Sequence, residues 1–483
     1  MKNASKKSSI MYMKYSAEPI VVLGLLLFAV LVLSLPYILR DSTVMFGDEA
    51  YYHLRIASLI QEKGIIKFDP LSYGGRPLLT PLGLPFILAK TSSLLNMGLE
   101  IISKTISFMI GILSVILFYF ILKNLNIKKR IRIIAVLTFI ISPLFIYLFS
   151  RSNYYFIPLF LNLLAFYLLL KNQKILTSIV LLLTPFFGII HPIIGLLSIL
   201  IYTLIKEKKL SIWHYVTSII VLSITLIIYL PILLKFGIDK LPVHQQLLSD
   251  LGGKISLSIF ALILSLIGII VTWKKKHAYT ALHISFAVLL LAAYFYNPVL
   301  IYLNILLAVL VSFGILKLIE RGWESKFIKN FTILIFALGL IFSGLSYIKQ
   351  ASDSMPNEEI FESLSLIKSR EQKTVFSHYS NGYWINSIAE KPNVMDPLFN
   401  YAPKLDEAYL DSQQLLYSRN LENDTKIIEK YNIGYIFITP EMKQGQVWTS
   451  DEEGLLFILK FSKEFKKIYD KKGFEIWEVN LED

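Results

Sequence analysis

The sequence contains no cysteine, and charged residues make up only 17% of its 483 residues. The absence of cysteine excludes disulfide bonds, thiolate metal sites and cysteine nucleophiles. The scarcity of charge accompanies 55% hydrophobic residues and a mean hydropathy of +0.58, which are unusual in a soluble globular protein. Apolar stretches recur along most of the chain, and roughly 20 apolar helical residues are enough to cross a bilayer. The sequence therefore predicts a polytopic α-helical membrane protein.

Positive charge is abundant, with a formal net charge of +13. In a soluble protein this would suggest nucleic-acid binding, but here the Lys and Arg residues cluster in short loops between apolar runs. Orientation in the membrane explains that distribution better, so we expect no nucleic-acid partner. The strongly basic segments are the N-terminal tail, 123–132, 171–174, 206–209, 274–277 and 317–329.

Eleven apolar runs are candidates for membrane spans. Pro192 in "GIIHPIIG" divides what would otherwise be one long run, because proline removes a backbone donor. The first run is too long for the core of a secretory signal and has no small-residue cleavage site after it, so we expect a retained helix. The runs are 18–39, 101–122, 131–149, 154–170, 175–190, 192–205, 213–234, 255–273, 278–296, 299–316 and 328–348.

A further apolar segment, 80–98, is predicted to be a re-entrant or interfacial helix. Counting it as a span would separate the basic loops, whereas leaving it out places all of them on one side, which the positive-inside rule identifies as the cytoplasm. The N-terminus is then cytoplasmic and residues 40–100 form one long outer loop. An odd number of spans places the C-terminus outside the cell membrane.

From about residue 350 the composition changes, and charged or polar residues appear every few positions. "NEEIFESLSLIKSR" is typical of an amphipathic helix, and "TVFSHYS", "YNIGYIFIT" and "FEIWEVN" are typical of strands. We therefore divide the chain into a transmembrane domain, 1–349, which includes the outer loop, and an extracytoplasmic α/β domain, 350–483.

The segment "MFGDEAYYHLR" places two carboxylates, Asp48 and Glu49, directly after the first apolar run. One interpretation is an acidic helix N-terminus, favoured by the helix dipole, with tyrosine and histidine as interfacial anchors. The other is that the carboxylates hold Mg²⁺ or Mn²⁺, or act as a general base whose pKa burial raises toward neutrality. His53 and Arg55 would then orient donor phosphates, arginine through paired hydrogen bonds.

This segment resembles motifs of the GT-C superfamily, membrane glycosyltransferases that use polyprenyl-phosphate-linked sugars. "DEA" followed by tyrosine resembles the Asp-Glu motif of the protein O-mannosyltransferase and aminoarabinose-transferase families, which makes Asp48 the essential acid. "EAYYHLR" resembles the D-P-Y-Y-H-type motif in the catalytic subunit of archaeal oligosaccharyltransferase, which makes Glu49 the essential acid. The resemblance also extends to "FDPLSYGGRPLLTPLGLPFILA", a Pro-rich turn before a juxtamembrane helix.

The C-terminal segment 377–396 resembles the oligosaccharyltransferase pattern W-W-D-Y-G-Y-W-I followed by E-R-P and an aspartate. The matching residues are Gly382, Tyr383, Trp384, Ile385, Glu390, Pro392 and Asp396. The resemblance implies an acceptor-side role for Tyr383 and Trp384, whereas the alternative is an ordinary strand-turn-helix. The W-W-D positions hold His378, Tyr379 and Ser380, which argues against reading of the glycosylation sequon.

Other positions depart from the superfamily pattern or add to it. "SRSNYYFIP" lacks the expected second acidic motif, and the outer loop 235–254, a candidate for the acceptor-binding segment, has only Asp239 and Asp250 as acids. A metal site with three carboxylates is therefore not visible. Arg151 and His191 lie at the outer ends of predicted spans, and we expect them to contact donor phosphate.

Together, these features predict a multi-pass plasma-membrane glycosyltransferase that transfers a sugar from a polyprenyl-phosphate-linked donor to a glycan, lipid or protein acceptor. Two alternatives remain: an oligosaccharyltransferase acting on protein asparagine, and a non-enzymatic transporter or scaffold for lipid-linked sugars. Expected transporter features, such as repeated halves with broken helices, are not evident in the sequence.

Overall fold

The structure is a computed structural model that describes residues 2–40, 42, 44–237, 248, 255–399, 401–450 and 452–481, with only the helical backbone described over 2–17. The chain forms two compact units. The first comprises Met1–Asp41 and Lys104–Asp353, and the second comprises Ser42–Ser103 and Ser354–Asp483. The segment expected as an outer loop of the membrane domain thus clusters with the C-terminal residues.

Helices dominate the first 353 residues. In chain order the elements are α1 (Lys2–Ile38), α2 (Glu49–Lys63), β1 (Phe68–Asp69), β2 (Arg76–Pro77), α3 (Gly83–Leu95), α4 (Leu99–Asn124), α5 (Lys129–Ile141), α6 (Pro143–Ser150), α7 (Phe156–Leu170), α8 (Lys174–Leu183), α9 (Ile190–Glu207), α10 (Ile212–Phe236), α11 (Ile259–Trp273), α12 (Lys276–Phe295), α13 (Leu300–Glu320) and α14 (Lys326–Ser352).

The C-terminal residues mix helices and strands. The elements are α15 (Glu358–Lys368), β3 (Thr374–Phe376), α16 (Gly382–Trp384), α17 (Leu405–Tyr417), α18 (Leu421–Lys430), β4 (Ile433–Ile438), α19 (Gly454–Phe461), β5 (Phe465–Lys471) and β6 (Phe474–Val479). They form a four-stranded sheet in the order β3-β4-β6-β5, in which β3 and β4 are parallel and the other pairs antiparallel. The three predicted strands are present as β3, β4 and β6. β5 was not predicted, because its sequence has no alternating apolar pattern. Most of its side chains are exposed or half-buried.

Every apolar run that the sequence predicted as a span contains a helix, but fewer than eleven of the described helices meet the length and hydropathy expected of a span. Within the described residues seven helices are long and apolar enough, or eight if the bent pair α5 and α6 counts as one span. The runs at α7, α8 and α11 form helices of 10 to 15 residues. A 15-residue helix rises only about 22 Å, less than the ~30 Å of a typical hydrocarbon core.

The first unit packs around α13, and 78% of the residues in its most apolar window are buried. α13 lies very close to α11: a Cβ on Gly268 would come within 1.9 Å of the Leu310 carbonyl oxygen, and one on Gly314 within 2.2 Å of the Leu264 carbonyl oxygen. Small residues at such crossings allow backbones in a membrane to approach closely. The bend of 61° between α5 and α6 occurs where Ser142 caps α6 and Pro143 begins it.

The second unit has an apolar core on each face of the sheet. One core joins the sheet to α17, α18 and α19. The other joins it to α15 and α16 and also includes Met45, Ala50 and Tyr51 from the segment around the start of α2. α2 therefore belongs to the same core as the C-terminal residues, and this fixes the position of the acidic pair at its beginning.

α3 is the helical part of the segment 80–98, which was predicted to be re-entrant or interfacial. Its 13 residues bury Leu84, Leu88 and Ala89 and expose Phe86 and Leu94. A helix of this length rises about 20 Å and is too short to cross a bilayer. The structure thus agrees with a non-spanning amphipathic helix.

Candidate active site

The acidic pair lies at the first turn of α2. Asp48 is the N-cap residue, and its Oδ1 accepts a hydrogen bond from the Glu49 backbone N–H at 3.0 Å. Both side chains are half-buried. The preceding loop is anchored because the Gly47 N–H donates to the Met355 carbonyl oxygen and the Tyr51 hydroxyl donates to the Met45 carbonyl oxygen. The helix-capping interpretation is therefore correct for Asp48, and the position remains open to a catalytic role as well.

Two buried tyrosines lie beside the acidic pair. The rings of Tyr52 and Tyr383 are 5.3 Å apart, and the Tyr52 hydroxyl is 2.5 Å from the Thr80 hydroxyl. Burial raises the pKa of Tyr52 to about 12. Burial, followed by the charge of Asp396 and the influence of Tyr52, Glu49 and Asp48, raises the pKa of Tyr383 well above its ordinary value. Both phenols therefore stay neutral next to the carboxylates.

His53 is fully buried on α2, with its ring 5.5 Å from that of Tyr52. Burial lowers the pKa of His53 to about 3, because a charged imidazolium would lose its hydration. The imidazole is thus neutral at physiological pH. It brings no positive charge to a phosphate, and contact with donor phosphate stays a prediction for His53.

The structure gives Arg55 a different partner from the predicted donor phosphate. Its guanidinium donates from Nη1 to Asp69 Oδ1 at 2.7 Å and from Nη2 to Asp69 Oδ2, and both side chains are buried. Burial tends to raise the pKa of Asp69, but the hydrogen bonds and charge of Arg55 outweigh it and leave that pKa below its ordinary value. We leave Arg55 out of the proposed phosphate site, because its paired donors are already used.

The loop after β1 is bound to the C-terminal segment by Asp396, a residue matched by resemblance but given no role. Asp396 Oδ2 accepts from the Ser72 hydroxyl at 2.6 Å, and its Oδ1 accepts from the Leu398 N–H at 2.9 Å. Burial raises the pKa of Asp396, partly offset by these hydrogen bonds. A Cβ on Gly382 would lie 2.4 Å from the Cβ of Asp396, so glycine is required there.

The predicted acceptor-side residues Tyr383 and Trp384 are both buried. Trp384 packs in the core beside Met45, Ala50 and Tyr51. Its position joins α2 to the C-terminal segment, and its Nε1 has no hydrogen-bond partner among the described residues. An acceptor-side role stays a prediction for both residues.

In the first unit, Arg151 belongs to a cluster of cations. It is buried, donates from Nη2 to the Tyr347 hydroxyl at 2.7 Å, and lies 4.5 Å from the centre of the Tyr147 ring. The neighbouring residue Ser150 accepts through its carbonyl oxygen from the Tyr37 hydroxyl. Lys104 Nζ is 6.0 Å from the centre of the Tyr37 ring.

Arg40 completes this cluster by donating to the carbonyl oxygen of Ser352, at the end of α14, at 3.0 Å. Neither Arg40 nor Lys104 was predicted as a site residue from the sequence. Lys104 carried a usable signal, because a lysine inside an apolar run usually has a specific partner or function.

His191, at the first turn of α9, belongs to a separate buried network. Its Nδ1 is 2.7 Å from the Tyr302 hydroxyl. Asn162 Nδ2 donates both to that hydroxyl, at 3.1 Å, and to the His191 carbonyl oxygen, at 3.0 Å. These contacts join α7, α9 and α13, and contact with donor phosphate stays a prediction for His191.

The described residues contain no group of three or more His, Asp or Glu side chains arranged to hold a metal ion. Asp48 and Glu49 provide two carboxylates at one helix start. Mg²⁺ commonly binds one or two protein carboxylates and takes its other ligands from water and substrate phosphates, so two acids are compatible with such an ion. Asp239 and Asp250, in the predicted acceptor-binding loop, lie outside the described residues.

Comparison at the level of sequence gives no match to a family model or to a curated protein. Comparison of structures gives clear matches. The oligosaccharyltransferase of Archaeoglobus fulgidus, tethered to an acceptor peptide containing the NVT sequon, matches with a TM-score of 0.65 and 14% identity, over 95% of this chain and 74% of that chain.

Two further solved structures also match over most of this chain. ArnT from Cupriavidus metallidurans, bound to undecaprenyl phosphate, has a TM-score of 0.58 and 10% identity over 93% of this chain and 97% of its own. The mycobacterial arabinofuranosyltransferase AftD has a TM-score of 0.60 and 13% identity over 96% of this chain and 42% of its own. The chain therefore shares the fold of the Archaeoglobus oligosaccharyltransferase, ArnT and AftD, and the resemblance predicted from its motifs is confirmed at the level of the fold.

Proposed function

We propose that this protein is a membrane glycosyltransferase that uses a polyprenyl-phosphate-linked sugar donor. The observation that carries the proposal is the position of Asp48 and Glu49 at the anchored start of α2, half-buried beside two neutral tyrosines, in a chain with the GT-C fold. ArnT, which has this fold, was solved with undecaprenyl phosphate, and the Archaeoglobus oligosaccharyltransferase was solved with dolichol phosphate.

The proposed reaction is a substitution at the anomeric carbon of the donor sugar. An acceptor hydroxyl or amide forms a new bond to that carbon, and the bond from the carbon to the phosphate oxygen breaks. The acceptor proton passes to the carboxylate of Asp48 or Glu49, and polyprenyl phosphate or diphosphate leaves with the electron pair. A positioned general base of this kind typically contributes a factor of about 10² to 10⁴ to the rate.

The cation cluster of Arg40, Lys104 and Arg151 is the proposed contact for the donor phosphate. Arginine binds phosphate through paired hydrogen bonds and lysine as a compact charge, so the cluster suits a phosphate group better than a neutral ligand. The hydrogen bond from Arg151 to Tyr347 orients the guanidinium and limits the conformational entropy lost on binding. His191, whose Nδ1 is hydrogen-bonded to the Tyr302 hydroxyl, stays a second predicted contact for the donor phosphate.

A divalent ion is part of the proposal as a companion of the donor. Mg²⁺ or Mn²⁺ would be held by Asp48 and Glu49, and it would offset the negative charge of the donor phosphates. One structure of the Archaeoglobus enzyme contains zinc and sulfate, which supports metal binding by a protein with this fold.

We place the protein in the plasma membrane with its N-terminus in the cytoplasm and residues 354–483 outside. The basic loops support that orientation through the positive-inside rule. The acceptor is a glycan, lipid or protein on the outer face. His378, Tyr379 and Ser380 at the W-W-D positions weigh against sequon peptides, so protein N-glycosylation is the secondary candidate.

The experiment that tests the proposal is sugar transfer in proteoliposomes from labelled polyprenyl-phosphate donors. We expect Asp48→Asn or Glu49→Gln to lower kcat about 100-fold or more, because the essential acid loses its ability to accept a proton. Glu62→Gln is the matched control, since Glu62 is an exposed carboxylate on the same helix. Full activity in both acid variants would contradict the site, and no transfer from any donor by the wild type would favour a transporter or scaffold.

A further inference from the structure

A polar cluster lies at the carboxyl ends of two neighbouring strands of the second unit. His378 and Ser380 follow β3, and Gln446 follows β4. β3 and β4 are parallel and pair Phe376 with Ile436, so the segments after them emerge at the same edge of the sheet. In sheets with parallel strands, ligands commonly bind outside these carboxyl ends.

The base of this cluster is fixed by buried side chains. Asn381 Nδ2 donates to the Ser377 hydroxyl at 2.9 Å, and both groups lie 3.6 Å from the Met442 sulfur. Met442–Gln446 forms a tight turn in which Gln444 and Gly445 depart from helical dihedral angles, and the φ of +103° at Gly445 is one that glycine adopts readily. The turn presents Gln446 to solvent.

The contacts of His378 Nδ1 favour the tautomer with the proton on Nε2. Nδ1 accepts from Gln446 Nε2 at 3.0 Å and from the Ser380 backbone N–H at 3.4 Å, and the Ser380 hydroxyl, 2.8 Å away, can also donate to it. Burial lowers the pKa of His378, which favours the neutral ring. Within the described residues neither His378 Nε2 nor Gln446 Oε1 has a hydrogen-bond partner. A donor and an acceptor therefore stand side by side at the surface.

Aromatic rings complete the surface. The ring centres of His378 and Tyr379 are 4.1 Å apart, and those of Tyr379 and Phe399 are 5.0 Å apart. Imidazole, amide and aromatic groups without a formal charge suit a neutral, polyhydroxylated ligand. Hydroxyl groups on adjacent carbons match a donor beside an acceptor, and the C–H face of a sugar ring packs on aromatic rings.

We propose that His378, Gln446 and the Tyr379–Phe399 aromatic surface form a subsite for a neutral sugar residue of a glycan acceptor. A peptide fits less well, because extended peptides usually pair with an open strand edge. The edge of β3 beside the cluster is already covered: the Val375 N–H donates to the Pro392 carbonyl oxygen at 2.8 Å. The inference rests on the proposed glycosyltransferase function and narrows its acceptor to a glycan.

Binding to the full-length protein tests the subsite without requiring activity. We would measure saturation-transfer NMR with mannotetraose, arabinotetraose, N-acetylchitotetraose and an Asn-Val-Thr peptide. His378→Phe keeps the ring and removes its nitrogens, and Gln446→Leu removes the amide. Each should weaken binding of at least one tetrasaccharide about 5- to 10-fold, the effect of losing one net hydrogen bond. Gln444→Leu, an exposed position on the same turn, is the matched control and should bind like the wild type.

Three results would overturn the subsite. The first is that the wild type binds none of the tetrasaccharides. The second is that His378→Phe and Gln446→Leu bind them as well as the wild type does. The third is that the Asn-Val-Thr peptide binds in a manner that depends on His378, which would identify a peptide site.

Transfer kinetics separate failure of the subsite from failure of the proposed function. If both proposals are correct, His378→Phe raises the KM for the glycan acceptor about 5- to 10-fold and leaves kcat nearly unchanged, whereas Asp48→Asn or Glu49→Gln lowers kcat. If the wild type transfers no sugar, the proposed function fails, and the NMR result alone then decides whether a glycan binds at His378.

Discussion

At the scale of single residues, burial and neighbouring groups determine whether a titratable side chain is charged and which partner it binds. Asp48 and Glu49 were recognisable in the sequence because two acids beside an apolar run are unusual. The neutrality of His53 was not recognisable, since it depends on complete burial by residues distant in sequence. The partner of Arg55 was not recognisable either. Arginine is a common phosphate ligand, but Arg55 binds Asp69 on the short strand β1.

A second buried acid, Asp424, gives a prediction about stability. Asp424 is fully buried at the first turn of α18. Burial raises the pKa of Asp424 from 3.8 to about 6, and Ser418 offsets only part of that rise. The folded protein therefore holds a proton that the unfolded chain releases between pH 4 and 6. The stability due to that proton is complete below about pH 4 and is lost as the pH rises through 6.

Asp424→Asn should therefore raise the midpoint of thermal unfolding at pH 7.5 and leave it nearly unchanged at pH 4. We expect a gain of up to about 2 kcal/mol, since the substitution removes a buried charge. Glu429→Gln, on the exposed face of the same helix, should change little at either pH. Intrinsic fluorescence of the full-length protein during heating measures the effect. An equal gain at both pH values would contradict the titration of Asp424.

At the scale of elements, α2 is held from both of its sides. Ala50 and Tyr51 pack in the core formed with the C-terminal sheet, and Arg55 binds Asp69 on β1. The loop after β1 is in turn bound to the C-terminal segment through Ser72 and Asp396. α2 therefore has little freedom to move within its unit, and the acidic pair at its start is correspondingly well positioned.

The buried ion pair gives the prediction at this scale. Arg55→Met or Asp69→Asn alone should destabilise the protein by about 3 to 5 kcal/mol, because each leaves one buried group without its partner. The double variant Arg55→Met with Asp69→Leu should recover much of that loss, since no unpaired charge remains. Thermal unfolding of the full-length variants measures this, with Lys349→Met as a control for an exposed ion pair. A double variant as unstable as the sum of the single ones would show that the pair does not act as a unit.

At the scale of the whole molecule, each compact unit combines two stretches that are not consecutive in the sequence. Residues 42–103 lie between α1 and the remainder of α4 in sequence, yet they cluster with residues 354–483. The change of composition near residue 350 predicted a domain boundary there. Composition gave no sign that residues 42–103 pack with the C-terminal residues.

The proposed orientation in the membrane can be tested directly because the chain has no cysteine. A single cysteine at Lys90, which is exposed on α3, should react with a membrane-impermeant maleimide added to intact cells. A cysteine at Lys208, in a basic loop, should react only after the cells are opened. Reaction of Lys90→Cys only in opened cells would reverse the orientation and move the acidic pair to the cytoplasmic side.

The sequence by itself determined the membrane class, the helical nature of every apolar run, three of the four strands of the C-terminal sheet and the acidic pair. These follow from hydropathy, local periodicity and residue type, which act over short distances along the chain. Tertiary structure decided which helices are long enough to span, where Ser142 and Pro143 bend one of them, and which unit contains α2. It also paired Arg55 with Asp69 in a buried salt bridge and brought His378 next to Gln446. Such pairings depend on burial and on contacts between distant segments, which no local pattern of residues specifies.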